Sequence, residues 1–322
     1  MDVKYCPNKM VLTGNGGFEM PGYNLNTALE MDPGKTTGFI YRFICDQVNA
    51  SRAAGLVVGI SGGLDSAVVA ALGARALGPE KVKGLFLPER DTARDSYECA
   101  RQVANCTGIR FQEIDLAPAL EKLGCYRGAV AGATRSKTVN RLAVWFLNRF
   151  FHTDPYRVTL ERTDNQTLNR AISNFRLKHR LRMAVLYQHA DQENLLAAGC
   201  LNLTEHLTGF FVHYGDNAAD LAPILDLYKS QIQQLARSLE VPSRILDKPP
   251  SPDLIPGIVD EAALAITYHK LDLVLYGLEK RVSIENIAKQ AETEPEAVER
   301  IKDYTELSAR FRKPIPYPPL QE

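Results

Sequence analysis

At 322 residues and 45% hydrophobic content, the chain can bury a full core, and one large α/β domain with appendages is the simplest partition. Its 38 basic residues balance 38 acidic ones, so no overall field draws it to nucleic acid or a membrane surface, and no apolar run is long enough to span a bilayer. The N-terminus lacks the basic-then-apolar layout of a secretory leader, and the six cysteines form no C-x-x-C pair, which together suggest reduced thiols in a cytoplasmic protein without structural zinc.

Residues 1–34 hold Gly14, Gly16, Gly17, Pro21 and Gly22 with little periodicity and read as an irregular arm, free to cover a groove or a neighbouring subunit. Pro33-Gly34-Lys35-Thr36 resembles the end of a Walker loop, but Leu29 stands where the first glycine belongs, so it reads as a helix start. Ile40, Phe43, Ile44 and Val48 then predict a helix over 35–52. A strand at 55–60, a helix at 64–77, a strand at 82–87 closed by Pro88, a helix at 92–107, a strand at 110–115 and a helix at 116–124 follow. Such alternation predicts a doubly wound parallel sheet with helices on both faces, whose ligands bind at the carboxyl ends of the strands.

Residues 125–173 break the rhythm and read as an insertion, with Leu142, Val144, Trp145, Phe146, Phe150 and Phe151 forming an apolar helical patch suited to burial against the core, a partner subunit or a substrate. The pattern resumes with a helix at 175–190, a strand at 194–199 and a helix at 223–239, then a proline-rich loop at 249–256 and a helical stretch at 260–280, the end of the main domain begun at 35. The tail, 281–322, predicts two short helices, the second opening with Glu294, Glu296 and Glu299, which would repel DNA phosphates.

The most informative stretch is Gly59-Ile60-Ser61-Gly62-Gly63-Leu64-Asp65-Ser66, a glycine turn between the strand at 55–60 and the helix at 64–77. Free N–H groups and the positive end of a helix dipole converge there, a ready anion site, with Ser61 and Ser66 as extra donors. Asp65 beside phosphate calls for a divalent cation between them. A nucleophile elbow with Ser61 as the reactive serine is the competing reading, since Gly59 to Gly63 fits G-x-S-x-G. A merely structural glycine turn is the third.

Ser61-Gly62-Gly63-Leu64-Asp65-Ser66 resembles the SGGxDS loop of the N-type ATP pyrophosphatases, whose fold is the adenine nucleotide alpha hydrolase type. Arg180-Leu181-Arg182-Met183, Gly209 to Asp220, Leu227-Tyr228-Lys229, Lys248 to Leu254 and Asp260-Glu261 narrow the resemblance to the ammonia-dependent NAD synthetases, across about residues 36–280. That resemblance implies ATP bound along Gly59 to Ser66 with Cys200, Lys229 and Ser251, and Mg²⁺ held by Asp65 and Glu205. Lys229 serves the departing pyrophosphate, and Arg180, His213 and Asp220 contact nicotinic acid adenine dinucleotide. It further implies ammonia as nitrogen donor and a homodimer. The chain departs from the family pattern at Arg176 (asparagine), Cys200 (threonine), His213 (lysine) and Ser251 (threonine), and Arg310-Phe311-Arg312 stands where the family has His-Lys-Arg. Those departures leave ATP use intact and open two alternatives: a related amide ligase adenylating another carboxylate, or a tRNA-modifying enzyme using the basic cluster Arg170, Arg176, Lys178, Arg180 and Arg182.

Overall fold

A computed structural model describes residues 11–12, 18–19, 24–127, 154–161, 164–248, 261 and 264–313. Ser251, the 249–256 loop and the apolar patch at 142–151 lie outside the described residues. Four parallel strands form the centre: β1 (Gly55–Gly59), β2 (Val82–Phe86), β3 (Arg110–Glu113) and β4 (Leu195–Ala198), in the order β3-β2-β1-β4. Leu56 aligns with Val82 and Val58 with Ala198, so β1 has a parallel neighbour on each side. The buried runs of β1 and β2 suit the middle of a two-sided sheet, whereas β3, largely exposed, is an edge. Strand order reverses between β1 and β4, which opens a crevice beyond their carboxyl ends.

Helices cover both faces, as the alternation predicts. On one face lie α1 (Pro33–Ala50), α2 (Leu64–Leu77) and α3 (Arg94–Thr107), with Ile44, Val68, Leu72 and Val103 packed on Leu56 and Val58. Asp32 caps α1 by accepting the Lys35 N–H at 3.1 Å, so Pro33 to Thr36 is a helix start. α2 is alanine- and valine-rich and buried on nearly every side, which lets the surrounding elements close on it. On the other face α4 (Gln166–Glu193) sets Met183, Leu186 and Ala190 against Val57 and Leu85. α4 begins well before the helix predicted at 175–190: Asn165 caps it by accepting the Leu168 N–H at 3.1 Å, so residues 166–173 belong to a regular helix.

α5 (Leu203–Thr208), α6 (Lys229–Ser238), α7 (Tyr268–Glu279), α8 (Ile284–Gln290) and α9 (Pro295–Ser308) follow. α7, α8 and α9 share a second core of Leu271, Val274, Ile287, Val298, Ile301 and Tyr304. The two predicted tail helices are therefore packed on α7. Residues 24–29 also differ from an irregular arm: Asn24 caps a helical turn at Leu25–Ala28, and Leu25 and Leu29 are buried in this second core. Among the described residues, no helix is long and apolar enough to cross a membrane.

Candidate active site

The loop after β1 is held by its own hydroxyls. Ser61 Oγ accepts the Gly63 N–H at 3.2 Å and lies 3.1 Å from Ser66 Oγ, which donates to the Gly63 carbonyl at 3.0 Å. Gly62 has φ +78° and a Cβ there would fall 2.3 Å from the Ser96 carbonyl oxygen, so only glycine fits. Gly63 begins α2 without a side-chain cap, leaving the first N–H groups of that helix, those of Leu64, Asp65 and Ser66 among them, aimed into the crevice. Ile60 anchors the turn, its N–H donating to the Leu85 carbonyl at 2.8 Å. Among the described residues no imidazole or carboxylate bonds Ser61 Oγ, so the base a nucleophile elbow requires is not there.

Asp65, in the first turn of α2, meets residues from two other segments. Its Oδ2 pairs with Lys229 Nζ, and its Oδ1 accepts the Asn202 amide at 3.2 Å. Lys229 is only 3% exposed, sits at the start of α6, and places its ammonium 5.3 Å from the Tyr268 ring centroid. Asn202 and Glu205 form a capping box on α5: Asn202 Oδ1 accepts the Glu205 N–H at 2.9 Å, and Glu205 Oε2 accepts the Asn202 N–H at 3.3 Å. Glu205 is thereby fixed at the crevice beside Asn202. Cys200, on the same loop, has its thiol pushed well up, first by burial and then by the nearby charges of Asp65, Glu205 and Asp216, so it stays a neutral thiol.

Behind this group Asp272 of α7 is fully buried, accepting from Thr204 Oγ1 at 2.6 Å and from the Ser230 N–H at 2.7 Å. Burial raises its pKa to about 6. Thr204 Oγ1 also accepts the Lys229 N–H at 2.9 Å, so one buried acid ties the starts of α5 and α6 together and fixes where Glu205 and Lys229 emerge. Neither Asn202 nor Asp272 figured in the sequence reading. The Asn202-x-x-Glu205 spacing was a legible capping signal. Asp272, one acid inside an apolar helix, gave none.

No group of three or more metal-ligating side chains occurs among the described residues. Magnesium needs no such group, because it takes one or two protein carboxylates and completes its shell with phosphate and water. Asp65 and Glu205, flanking Asn202 at a phosphate-sized anion turn, fit that donor set.

The second set of predicted residues lies around α4 and the loop at 209–220. Arg180 donates both Nε and one Nη to the His213 carbonyl at 3.1 Å. The His213 ring lies 3.8 Å from that of Tyr214 and 6.0 Å from Phe311, so the C-terminal segment reaches this site. Burial and the Arg180 charge hold His213 below the usual histidine pKa. Asp220 stands apart: Oδ2 accepts the Ala197 N–H at 2.8 Å and Oδ1 the Tyr187 hydroxyl at 3.3 Å, so it closes the outer edge of β4. Among the described residues its hydrogen bonds go to Ala197 and Tyr187, not to Arg180 or His213. The basic cluster is likewise divided. Lys178 is buried between Glu89 at 2.8 Å and Asp91 at 2.9 Å, and Arg182 donates to the Leu87 carbonyl at 3.1 Å.

A glycine turn feeding an uncapped helix at the switch point of a parallel sheet, faced by a buried lysine and two carboxylates, defines a nucleotide-binding α/β protein of the ATP pyrophosphatase class. The NAD synthase family model matches residues 38–141 and 148–316, and the chain belongs to that family. It is 39% identical to the NH(3)-dependent NAD(+) synthetases of Thermotoga neapolitana and Thermotoga maritima over 276 residues, 85% of this chain and 92% and 95% of theirs. Among solved structures it resembles an NMN synthetase from Francisella tularensis (TM-score 0.67, 28% identity, 90% of this chain and 99% of that one). It also resembles an NH3-dependent NAD synthetase from Campylobacter jejuni in complex with the nitrate ion (TM-score 0.64, 25% identity, 89% and 99%).

Proposed function

We propose that this protein is a ligase that amidates nicotinic acid adenine dinucleotide to NAD, using ATP and ammonia and releasing AMP and pyrophosphate. The observation that carries the reading is the convergence of Asp65, Lys229, Asn202 and Glu205 on the turn at 61–66, in a chain of the NAD synthase family. In this reading the N–H groups at the start of α2 and the Ser61 and Ser66 hydroxyls cradle the ATP phosphates. A carboxylate oxygen of the acceptor attacks the α-phosphorus, the bond to the β-phosphate oxygen breaks, and pyrophosphate leaves. Lys229 carries the charge of that leaving group. Ammonia then attacks the acyl carbon, AMP departs, and the nitrogen loses a proton. Mg²⁺, held by Asp65 and Glu205 when bound, neutralises phosphate charge and aids departure. Placement and charge supply the catalysis, and no side chain forms a covalent bond to substrate.

Cys200 and Ser251 complete the ATP side, and Arg180, His213 and Asp220 the acceptor side. Asp220 holds the Ala197 N–H and the Tyr187 hydroxyl, and its carboxylate keeps lone pairs for a donor on the substrate. A cytoplasmic homodimer agrees with the family resemblance. The test is incubation with ATP, Mg²⁺, ammonia and nicotinic acid adenine dinucleotide, with AMP and NAD as the expected products. ADP in place of AMP, or no ATP binding, overturns the reading. The Francisella neighbour's name and the substitutions at 176 and 213 favour testing a mononucleotide acceptor in parallel.

A further inference from the structure

The loop that follows β2 is fastened to α4 by buried charges that the amidation chemistry leaves unused. Lys178 of α4 donates to Glu89 at 2.8 Å and to Asp91 at 2.9 Å, and none of the three side chains is more than 8% exposed. The Tyr126 hydroxyl donates to the other Glu89 oxygen at 2.7 Å. Arg90 pairs with Asp91 at 2.9 Å, and its guanidinium lies 4.1 Å from the Tyr126 ring centroid. One turn along α4, Arg182 holds the Leu87 carbonyl at 3.1 Å, so α4 grips this loop at 87, 89 and 91. Burying an ion pair costs hydration that its own attraction only partly returns, and apolar side chains of similar volume would hold the interior as well. Stability alone therefore does not account for the network.

The segment it holds leads directly to the phosphate turn. The Glu89 N–H donates to Thr92 Oγ1 at 2.9 Å and the Thr92 N–H to the Glu89 carbonyl at 3.0 Å, which closes a compact turn. The Ser96 N–H donates to the Ala93 carbonyl at 3.0 Å as α3 begins. The Ser96 carbonyl then abuts Gly62, where an added Cβ would fall 2.3 Å from its oxygen. Ser96 is fully buried, and Lys248 Nζ donates to its hydroxyl at 2.9 Å. Packing this close leaves no slack, so a shift of residues 89–96 is either passed on to Gly62 or opens a gap behind it.

We infer that Lys178 is a positioning residue for ATP, acting through Glu89 and Asp91 to seat residues 89–96 as a backstop behind the phosphate turn at 61–66. Its ammonium stays on the two acids and meets no ligand. The inference rests on the amidation reading only for ATP as the occupant of that turn.

Lys178→Met, and the double variant Lys178→Met with Glu89→Leu, separate positioning from packing. They are compared with the parent by urea unfolding and by calorimetric binding of ATP with Mg²⁺. Lys178→Met strands the Glu89 carboxylate and is expected to lower the urea midpoint while raising the ATP Kd about tenfold. Adding Glu89→Leu removes the stranded acid and should return most of the lost stability, with the ATP Kd still about tenfold above the parent. The Kd for nicotinic acid adenine dinucleotide, measured without ATP, should stay within about twofold in both variants. If Lys178→Met does not fold, the double variant decides by the same measure. An ATP Kd that is unchanged in Lys178→Met, or that returns to the parent value in the double variant, reduces the network to packing and overturns the inference. An equal rise in the dinucleotide Kd marks general loosening and overturns it too. No ATP binding by the parent overturns the reading of the turn and the inference with it, whereas ATP binding without AMP formation overturns the amidation reading alone.

Discussion

The ATP side and the acceptor side of the crevice are built in opposite ways. Around Asp65, buried side chains from α2, α5, α6 and α7 meet one another, and every charged group has an oppositely charged or hydrogen-bonding partner already in place. Around Arg180 the contacts run from side chain to main-chain carbonyl, at 159, 160 and 213, and the positive charges are not answered by acids among the described residues. A site closed on itself fixes one chemistry. A site braced through backbone tolerates changed side chains, which is where this chain departs from its family pattern.

The first way to break the comparison is to strike the closed side. Asp65→Asn and Lys229→Met are each expected to reduce AMP formation by about 100-fold or more, with circular dichroism unchanged. Turnover near the parent rate would deny this cluster its role in ATP cleavage. Asp272→Ala removes the buried acceptor for Thr204 and Ser230, and a destabilisation of about 2–3 kcal/mol should appear as a lower urea midpoint. Asn202→Ala strikes the cap and the Asp65 contact together: about 1 kcal/mol of stability should go, with a several-fold loss of kcat and little change in acceptor KM. On the braced side, His213→Lys should lower the acceptor KM a few-fold and leave the ATP KM unmoved. An unchanged KM would point to a different carboxylate.

The smallest expected effect is on pH. Burial lowers the pKa values of His179, His189, His206 and His213, so the folded chain binds fewer protons there than the unfolded chain. Their contribution to stability is present above the ordinary histidine pKa of about 6.5 and is lost as pH falls below it. Asp272 runs the other way, because its raised pKa adds stability as pH falls from about 6 toward the ordinary carboxylate range. Unfolding midpoints should therefore drop between pH 7.5 and 6, where the histidines act nearly alone. His179→Asn should flatten that slope, and an unaltered slope would remove His179 from the account.

How much was legible in the sequence follows the same division. The strands, α2 and the phosphate turn rest on local patterns: continuous apolar runs, a glycine pair and helical spacing, and the bounds of α2 agree at both ends. The full length of α4 was hidden, because residues 166–173 are mostly polar and their helix is declared chiefly by the Asn165 cap. Asn24 concealed its helical turn in the same manner. Lys229 was visible as a candidate and Asn202 was not, and the meeting of both with Asp65 depends on the β1–β4 crevice, which no local pattern reports. Asp220 shows the converse: the motif position suggests a ligand contact and gives no sign that its oxygens also complete a sheet edge.

The pairing of Asp65 with Lys229 bears on how the crevice is entered. Lys229 has almost no contact with solvent, so a ligand that engages Asp65 alone takes from a buried cation its carboxylate. A divalent ion at Asp65 competes with that ammonium, and a polyanion at Lys229 competes with the carboxylate. A visitor bearing both signs trades partners with each half of the pair, so the entry of metal and of polyanion is expected to be mutually reinforcing.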